Sequence, residues 1–320
     1  MANVLITGAT GFIGSHVARV ALQDGHDVSA LIRETSDTWR LRDLMRDLRF
    51  VRADLRDSTA VATAAQIAAP EVCVHAAWYA EPELYLTSEQ NIDHVAATWR
   101  LTQALGRAGC RRFVGVGTCF EYDTNVEHLS EDSNVLPRSL YAASKLAAYL
   151  VLEQLAAQYE MEAVWPRLFY QYGPFEDNRR LVPMIIRALR AKRPAKLTNG
   201  DQVRDYLHVL DVARALWAVS AGSEPGVVNI GSGTPVRVRD VARILGDLFG
   251  RPDLVQLGAI PERPDDPPVV YAVNRRLVEG YGWRPLYRLS DGLADTVSWW
   301  HSELDRQTAE QRTRNESNPR

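Results

Sequence analysis

At 320 residues the chain is long enough for about two domains of roughly 150 residues each, and its 46% hydrophobic and 24% charged residues exclude a disordered or collagen-like polymer. With 37 Lys and Arg against 40 Asp and Glu, the net charge of -3 gives no bulk attraction to nucleic acid or to an anionic membrane, so neither is expected as a partner. Cys73, Cys110 and Cys119 lack the spacing of a zinc or redox site, and no apolar run approaches about 18 residues, so no metal, no membrane span and a reducing cytoplasm are expected.

In chain order, Asn3 to Thr7 is a short apolar run ended by glycine, Phe12 to Gln23 has helical periodicity, and Val28 to Ile32 reads as a second strand. Further strands are predicted at Arg49 to Arg52, Val72 to His75, Phe113 to Val116 and Ala163 to Arg167, with helical segments between them. This alternation predicts an α/β fold, a doubly wound parallel sheet of the Rossmann type, over residues 1–167. Beyond it, Pro174, Pro183, Pro194, Pro261, Pro264, Pro267 and Pro268 break the chain into shorter pieces. A smaller C-terminal α+β substrate lobe is expected over residues 168–303, with strands from about 202–231 returning to the first sheet. Residues 304–320 are almost wholly polar and are expected to fray. The basic run from Arg187 to Lys196 reads as the solvated face of a helix whose Ile185, Ile186 and Leu189 turn inward.

The turn after the first strand reads Thr7-Gly8-Ala9-Thr10-Gly11-Phe12-Ile13-Gly14. Glycine lets backbone approach a pyrophosphate closely, and the N–H groups opening the next helix favour its charge, so Gly8, Thr10, Gly11, Phe12, Ile13 and Gly14 are candidate dinucleotide contacts. At the end of the second strand, where an NAD site usually offers a carboxylate to the ribose, the chain has Ile32-Arg33. Arg33 suits a 2′-phosphate, which favours NADP over NAD, although Glu34 beside it leaves open a solvated strand end. Asp54 and Leu55 are candidate adenine contacts.

Tyr141-Ala142-Ala143-Ser144-Lys145 places a phenol and an ammonium one helical turn apart. A neighbouring Lys cation is expected to lower the tyrosine pKa and make it a proton carrier. With the glycine turn upstream and Gly117-Thr118 at a strand end, the chain resembles the extended short-chain dehydrogenase/reductase family, in its nucleotide-sugar epimerase, dehydratase and reductase group. The resemblance covers about residues 3–300. It rests on TGATGFIG, Asp54-Leu55, His75-Ala76-Ala77, Asn91, Thr118 with Tyr122, YAASK, Arg167 to Pro174, Arg204-Asp205-Tyr206 with Val209 and Asp211, and Asn229 to Gly233.

The resemblance implies that Tyr141 is the acid/base, that Lys145 orients the nicotinamide ribose, and that Thr118 bonds the reacting oxygen. It also implies that Ala76 and Ala77 line the cofactor, that Asn91 supports the helix presenting this set, and that Arg204 and Arg263 bind a substrate pyrophosphate. Trp78, Cys119, Phe120 and Tyr170 fall on the substrate side, with Tyr79 and Glu81 near them. A homodimer through the helices at Asn91 to Leu105 and Tyr141 to Gln158 is implied as well.

Departures from the group narrow the reaction. The 4,6-dehydratases follow the catalytic Thr with Asp-Glu, and here those places are Cys119 and Phe120. The epimerase-reductases that make GDP-fucose use a His after Tyr-Gly-Pro, where this chain has Phe175. Tyr170 replaces the group's usual Asn, which implies an altered substrate pose. The expected activity is therefore NADPH-dependent reduction of a nucleotide-activated 4-keto-6-deoxyhexose at C4. An NAD-dependent nucleotide-sugar 4-epimerase is the alternative within the group, and a non-catalytic NADP(H)-binding sensor or scaffold is the alternative outside it.

Overall fold

Val4 and Ile6 point to one face of the first strand and Leu5 to the other, and all three are buried, so this strand needs cover on both sides. The computed structural model describes residues 1–317 apart from positions 263 and 265. In chain order the strands are β1 (Asn3–Thr7), β2 (Asp27–Ile32), β3 (Arg49–Arg52), β4 (Val72–His75), β5 (Arg112–Gly115), β6 (Gly117–Thr118), β7 (His128–Leu129), β8 (Glu162–Leu168), β9 (Tyr170–Tyr172), β10 (Ala195–Lys196), β11 (Val203–His208), β12 (Gly226–Ile230), β13 (Pro235–Arg237), β14 (Val255–Gln256) and β15 (Val269–Ala272). The α-helices are α1 (Phe12–Gln23), α2 (Ser58–Ala68), α3 (Gln90–Arg107), α4 (Leu140–Gln158), α5 (Leu181–Arg190), α6 (Val209–Ala221), α7 (Val238–Leu248), α8 (Arg275–Gly280) and α9 (Leu289–Ser317).

The main sheet has the order β12-β8-β5-β4-β1-β2-β3, with β6 beside β8, and its pairings are parallel. Strand order reverses at β1, which opens a crevice between the carboxyl ends of β1 and β4 where such sheets bind ligands. One core lies against α1 and α6, with Val17, Val20, Val212 and Leu216 on Val4 and Ile6. The other lies against α2, α3 and α4, with Val61, Leu101, Leu105, Leu152 and Trp165 on Leu5. The Rossmann-type doubly wound sheet expected from the alternation of elements is therefore present.

A second sheet has the order β13-β11-β15-β7, with β9 beside β11, and covers the carboxyl end of the first. Only Phe169 separates β8 of the first sheet from β9 of the second, so one continuous segment carries the chain across. The third core, under α5, α7 and α9, gathers Ile185, Ile186, Leu189, Leu245, Leu293 and Trp300.

Two sequence expectations are corrected here. Of the strands from 202–231, only β12 returns to the main sheet; β11 pairs with β9, β13 and β15 in the second. Of the tail expected to fray, residues 304–317 are helical, as α9 runs on to Ser317. Its continuation is held by Arg190, which donates to the His301 carbonyl (2.7 Å) and pairs with Asp305 (2.6 Å), and by the ladder Glu303, Arg306 and Glu310. Polar residues one turn apart thus replace apolar burial as the reason to stay helical. Among the described residues no helix is long and apolar enough to cross a membrane.

Burial, the largest cause in each case, holds four histidines below their ordinary range: His16 and His94 at about 4, His75 and His208 at about 3. Unfolded, each takes up a proton near pH ~6.5. The unfolded state therefore binds more protons between the two values, so the stability they allow is complete above ~6.5 and is lost as pH falls toward about 4. The urea unfolding midpoint should drop between about pH 7.5 and about pH 5; an unchanged midpoint would contradict neutral burial of these rings.

Candidate active site

Gly8 has φ +71°, and a Cβ there would lie 2.6 Å from the Ala76 carbonyl carbon and the Ala77 nitrogen. A Cβ on Gly14 would lie 2.2 Å from the Gly8 oxygen. The turn and the end of β4 are therefore in backbone contact that only glycine permits. The Thr7 hydroxyl locks the two strand ends together by bonding His75 Nδ1 (2.6 Å) and accepting the Ala77 N–H (3.3 Å). Gly11, the residue before α1, offers no side-chain cap, and the first turn of α1 carries no acidic residue. The opening N–H groups and positive dipole end of α1 suit an anion, and this cradle of Gly8, Thr10, Gly11, Phe12, Ile13, Gly14, Ala76 and Ala77 fits a dinucleotide pyrophosphate.

At the ribose end, Glu34 turns to Arg52 (2.8 Å), while Arg33 forms no ion pair among the described residues. Asp54 is bound by Arg56 through its side chain (2.6 Å) and backbone N–H (2.9 Å), and this guanidinium holds its carboxyl at about 2. The Asp54 carboxylate keeps acceptor capacity beyond this pair, since two oxygens offer about four lone-pair sites. Leu55 packs against the core under α2.

Helix α4 is fixed at its start by Ser139, whose hydroxyl accepts the Ala142 N–H (3.1 Å), and by Tyr141, whose N–H donates to the Leu86 carbonyl (3.1 Å). Tyr141 and Lys145 then share one face. Lys145 Nζ donates to the Val116 carbonyl (2.7 Å) and stands 3.8 Å from the Trp78 ring centroid. Thr118, at the end of β6, lies beside the Tyr141 phenol and favours its ionised form. Burial first, and then Tyr85, whose ring meets Tyr141 edge-on at 4.9 Å, push the phenol well above its ordinary range. Lys145 makes its hydrogen bond to a carbonyl and not to the phenol. The ammonium points to Val116 and Trp78, 6.0 Å from the phenol centroid, and burial pulls Lys145 itself down to about 7 while Glu121 works the other way.

Other expectations for the substrate side change as well. Trp78 is half-buried and lies under the lysine: its indole N–H donates to Asn91 Oδ1 (2.8 Å) and its ring stacks on His94 at 5.2 Å. Cys119 is buried in a small core with Tyr122, Leu129 and Phe169, so it is a packing residue, and burial pushes its thiol up to about 12. Phe120, Tyr170 and Arg204 do come together, with Tyr170 edge-on to Phe120 at 6.2 Å and the Arg204 guanidinium 5.3 Å from the Tyr170 centroid. Arg204 is paired with Asp266 at 2.5 Å. Arg263 lies outside the described residues. Glu81 reaches across to Arg179, beside the loop that follows Tyr172-Gly173-Pro174. Asn91 is fully buried and donates to the Tyr85 and Ser88 carbonyls, which ties α3 to the loop holding Tyr141.

The family model described as the NAD dependent epimerase/dehydratase family matches residues 4–231. The chain belongs to that family. Among its relatives, a UDP-glucose 4-epimerase of Mycolicibacterium smegmatis is 30% identical, covering 94% of this chain and 99% of its own. A dTDP-glucose 4,6-dehydratase of Escherichia coli is 26% identical over 93% of each chain. The crystal structure of the Thermus thermophilus UDP-glucose 4-epimerase in complex with NAD aligns with a TM-score of 0.83 at 26% identity, covering 93% of this chain and 98% of that one. This NAD dependent epimerase/dehydratase family member is thus an oxidoreductase-type enzyme of the extended short-chain dehydrogenase/reductase kind.

Sequence reasoning missed Tyr85, His94 and Glu121. The first two become neighbours of Tyr141 and Trp78 only through folding. Glu121 carried a local signal, the Thr118-x-x-Glu121 capping box, which the turn after β6 forms.

Replacing Gly8 by alanine forces strain at φ +71° and a clash with Ala76. Gly8→Ala should weaken NAD binding by about 10- to 100-fold in isothermal titration, and unchanged affinity would remove this turn from the cofactor site.

Proposed function

We propose that the protein interconverts nucleotide-diphosphate sugars that differ in configuration at C4, with NAD as its resident cofactor. The observation that carries this reading is the set Thr118, Tyr141 and Lys145 without a carboxyl at either residue after Thr118: Cys119 is buried and Phe120 is aromatic. Elimination of water needs further proton carriers there, whereas chemistry at one carbinol needs a single proton path. The UDP-glucose 4-epimerase relatives support the same reading, in preference to the ketoreduction expected from the sequence.

When bound, the nicotinamide dinucleotide supplies reversible hydride acceptance. Tyr141 Oη removes and returns the proton at the sugar O4, and Thr118 Oγ1 orients that oxygen. Lys145 would hold a ribose hydroxyl of the bound dinucleotide, and its ammonium favours the phenolate. Arg204, released by Asp266, would meet the diphosphate, and Tyr170 with Phe120 would form an apolar wall for the sugar.

One observation favours a second reading. Arg33 forms no ion pair among the described residues and stands where NAD sites carry a carboxylate, which suits NADPH and hence reduction of a 4-keto-6-deoxyhexose. We also propose a homodimer through α3 and α4, which pack on each other and leave Ile92, Trp99 and Leu150 exposed. Sedimentation should give twice the chain mass for the native protein and a shift toward monomer for Trp99→Glu with Leu150→Glu.

The deciding experiment incubates the protein with UDP-, dTDP-, GDP- and CDP-hexoses and, in parallel, with their 4-keto-6-deoxy forms and NADPH. Inversion at C4 without added cofactor is expected. Consumption of NADPH would instead select the reductase. Tyr141→Phe should lower turnover by about 100-fold or more with NAD affinity kept. Dinucleotide binding without turnover on any sugar would leave a sensor.

A further inference from the structure

The strand end at residues 115–118 is held by two sets of side chains. From α4, Lys145 Nζ bonds the Val116 carbonyl at 2.7 Å. From β8 and the turn after β6, Trp165 and Glu121 fill the space beside the two glycines. A Cβ on Gly115 would lie 2.4 Å from the Trp165 ring, and one on Gly117 would lie 2.3 Å from Trp165 Nε1 and 2.8 Å from Glu121 Oε1. The Glu121 carboxylate is wholly buried, and it accepts from the Thr118 N–H (2.8 Å), from the Trp165 indole N–H (3.0 Å) and from Arg167 Nε (2.8 Å). Arg167 in turn lies over the Tyr122 ring at 4.3 Å, and the Tyr122 hydroxyl donates to Asn229 Oδ1 at 2.8 Å.

We propose that Glu121 is a positioning residue, whose carboxylate fixes the backbone of Thr118 and keeps the neighbouring Lys145 ammonium charged. The proposal rests on the reading of Thr118, Tyr141 and Lys145 as the reacting set. A carboxylate out of water acts over several ångströms with little screening. Lys145 is buried, faced by the neutral rings of His75 from β4 and His94 from α3, by Trp78 from the loop after β4, and by the Tyr141 phenol on its own helix. Of these surroundings, Glu121 is the group that raises the lysine against burial. Glu121 itself is paired with Arg167 on β8.

The sequence makes a direct test feasible, because its only lysines are Lys145, Lys192 and Lys196, the latter two exposed. In protein carrying ¹³C-labelled lysine, the side-chain signals are followed against pH for the native chain and for Glu121→Gln, which keeps an acceptor for the Thr118 N–H and loses the charge. The Lys145 midpoint should fall by about one pH unit or more while Lys192 and Lys196 stay in place. The alkaline limb of kcat should move by the same amount, with the KM for the sugar little changed and kcat down by about 10-fold or more. Should Glu121→Gln be insoluble because Arg167 is left unpaired, the double variant Glu121→Gln with Arg167→Gln removes both charges and is expected to lower the Lys145 midpoint likewise. A Lys145 midpoint unmoved in a folded variant overturns the proposal. Absence of turnover in the native protein overturns the epimerase reading instead, and the lysine titration still decides the role of Glu121.

Discussion

Backbone meets backbone where β1 and β4 end, and the rest of the site depends on that approach. Gly8 sits against the peptide joining Ala76 and Ala77 at a distance that admits no Cβ, and Gly14 sits against Gly8 in the same way. Thr7 and His75 close the contact with a side-chain bond, and His75 passes it on to Thr98 of α3 at 3.1 Å. The start of α1 and the face of α3 are thereby placed relative to one crevice. Anion-binding N–H groups and the helix that ties down Trp78 and Tyr141 become parts of one rigid unit.

The second organising feature is the handling of buried charge. Lys145, Arg167 and Glu121 are all withdrawn from water, a costly arrangement unless each finds partners. Arg167 and Glu121 satisfy each other, and Glu121 has spare acceptor capacity for Thr118 and Trp165. Among the described residues Lys145 donates one hydrogen bond, to a carbonyl, and lies over an aromatic face. The Arg167 and Glu121 pair is thus more fully satisfied than Lys145.

The substrate side follows from the way the chain leaves the first sheet. Because β8 passes into β9 with a single residue between, Tyr170 lands beside Phe120 and Arg204 and within reach of the strand end that carries Thr118. Tyr170 also pairs directly with Tyr206 across β9 and β11, and Tyr172 extends the aromatic wall toward the third core.

The parts legible from sequence were those with local causes. The alternation of apolar strands and periodic helices determined the doubly wound sheet, because parallel strands need cover on both faces. The glycine spacing determined the anion cradle, because only glycine tolerates those conformations and contacts, and the four-residue separation of Tyr141 and Lys145 determined their shared face. Tertiary structure decided what depends on residues far apart in the chain. It turned Lys145 toward Trp78 and Val116, engaged Asp54 with Arg56, buried Cys119 and sent β11 to the second sheet. It also let a polar tail continue α9 through pairs that reach Arg190 on another helix. Electrostatic roles of this kind arise from desolvation and from partners brought together by packing, and neither is written in the spacing of a motif.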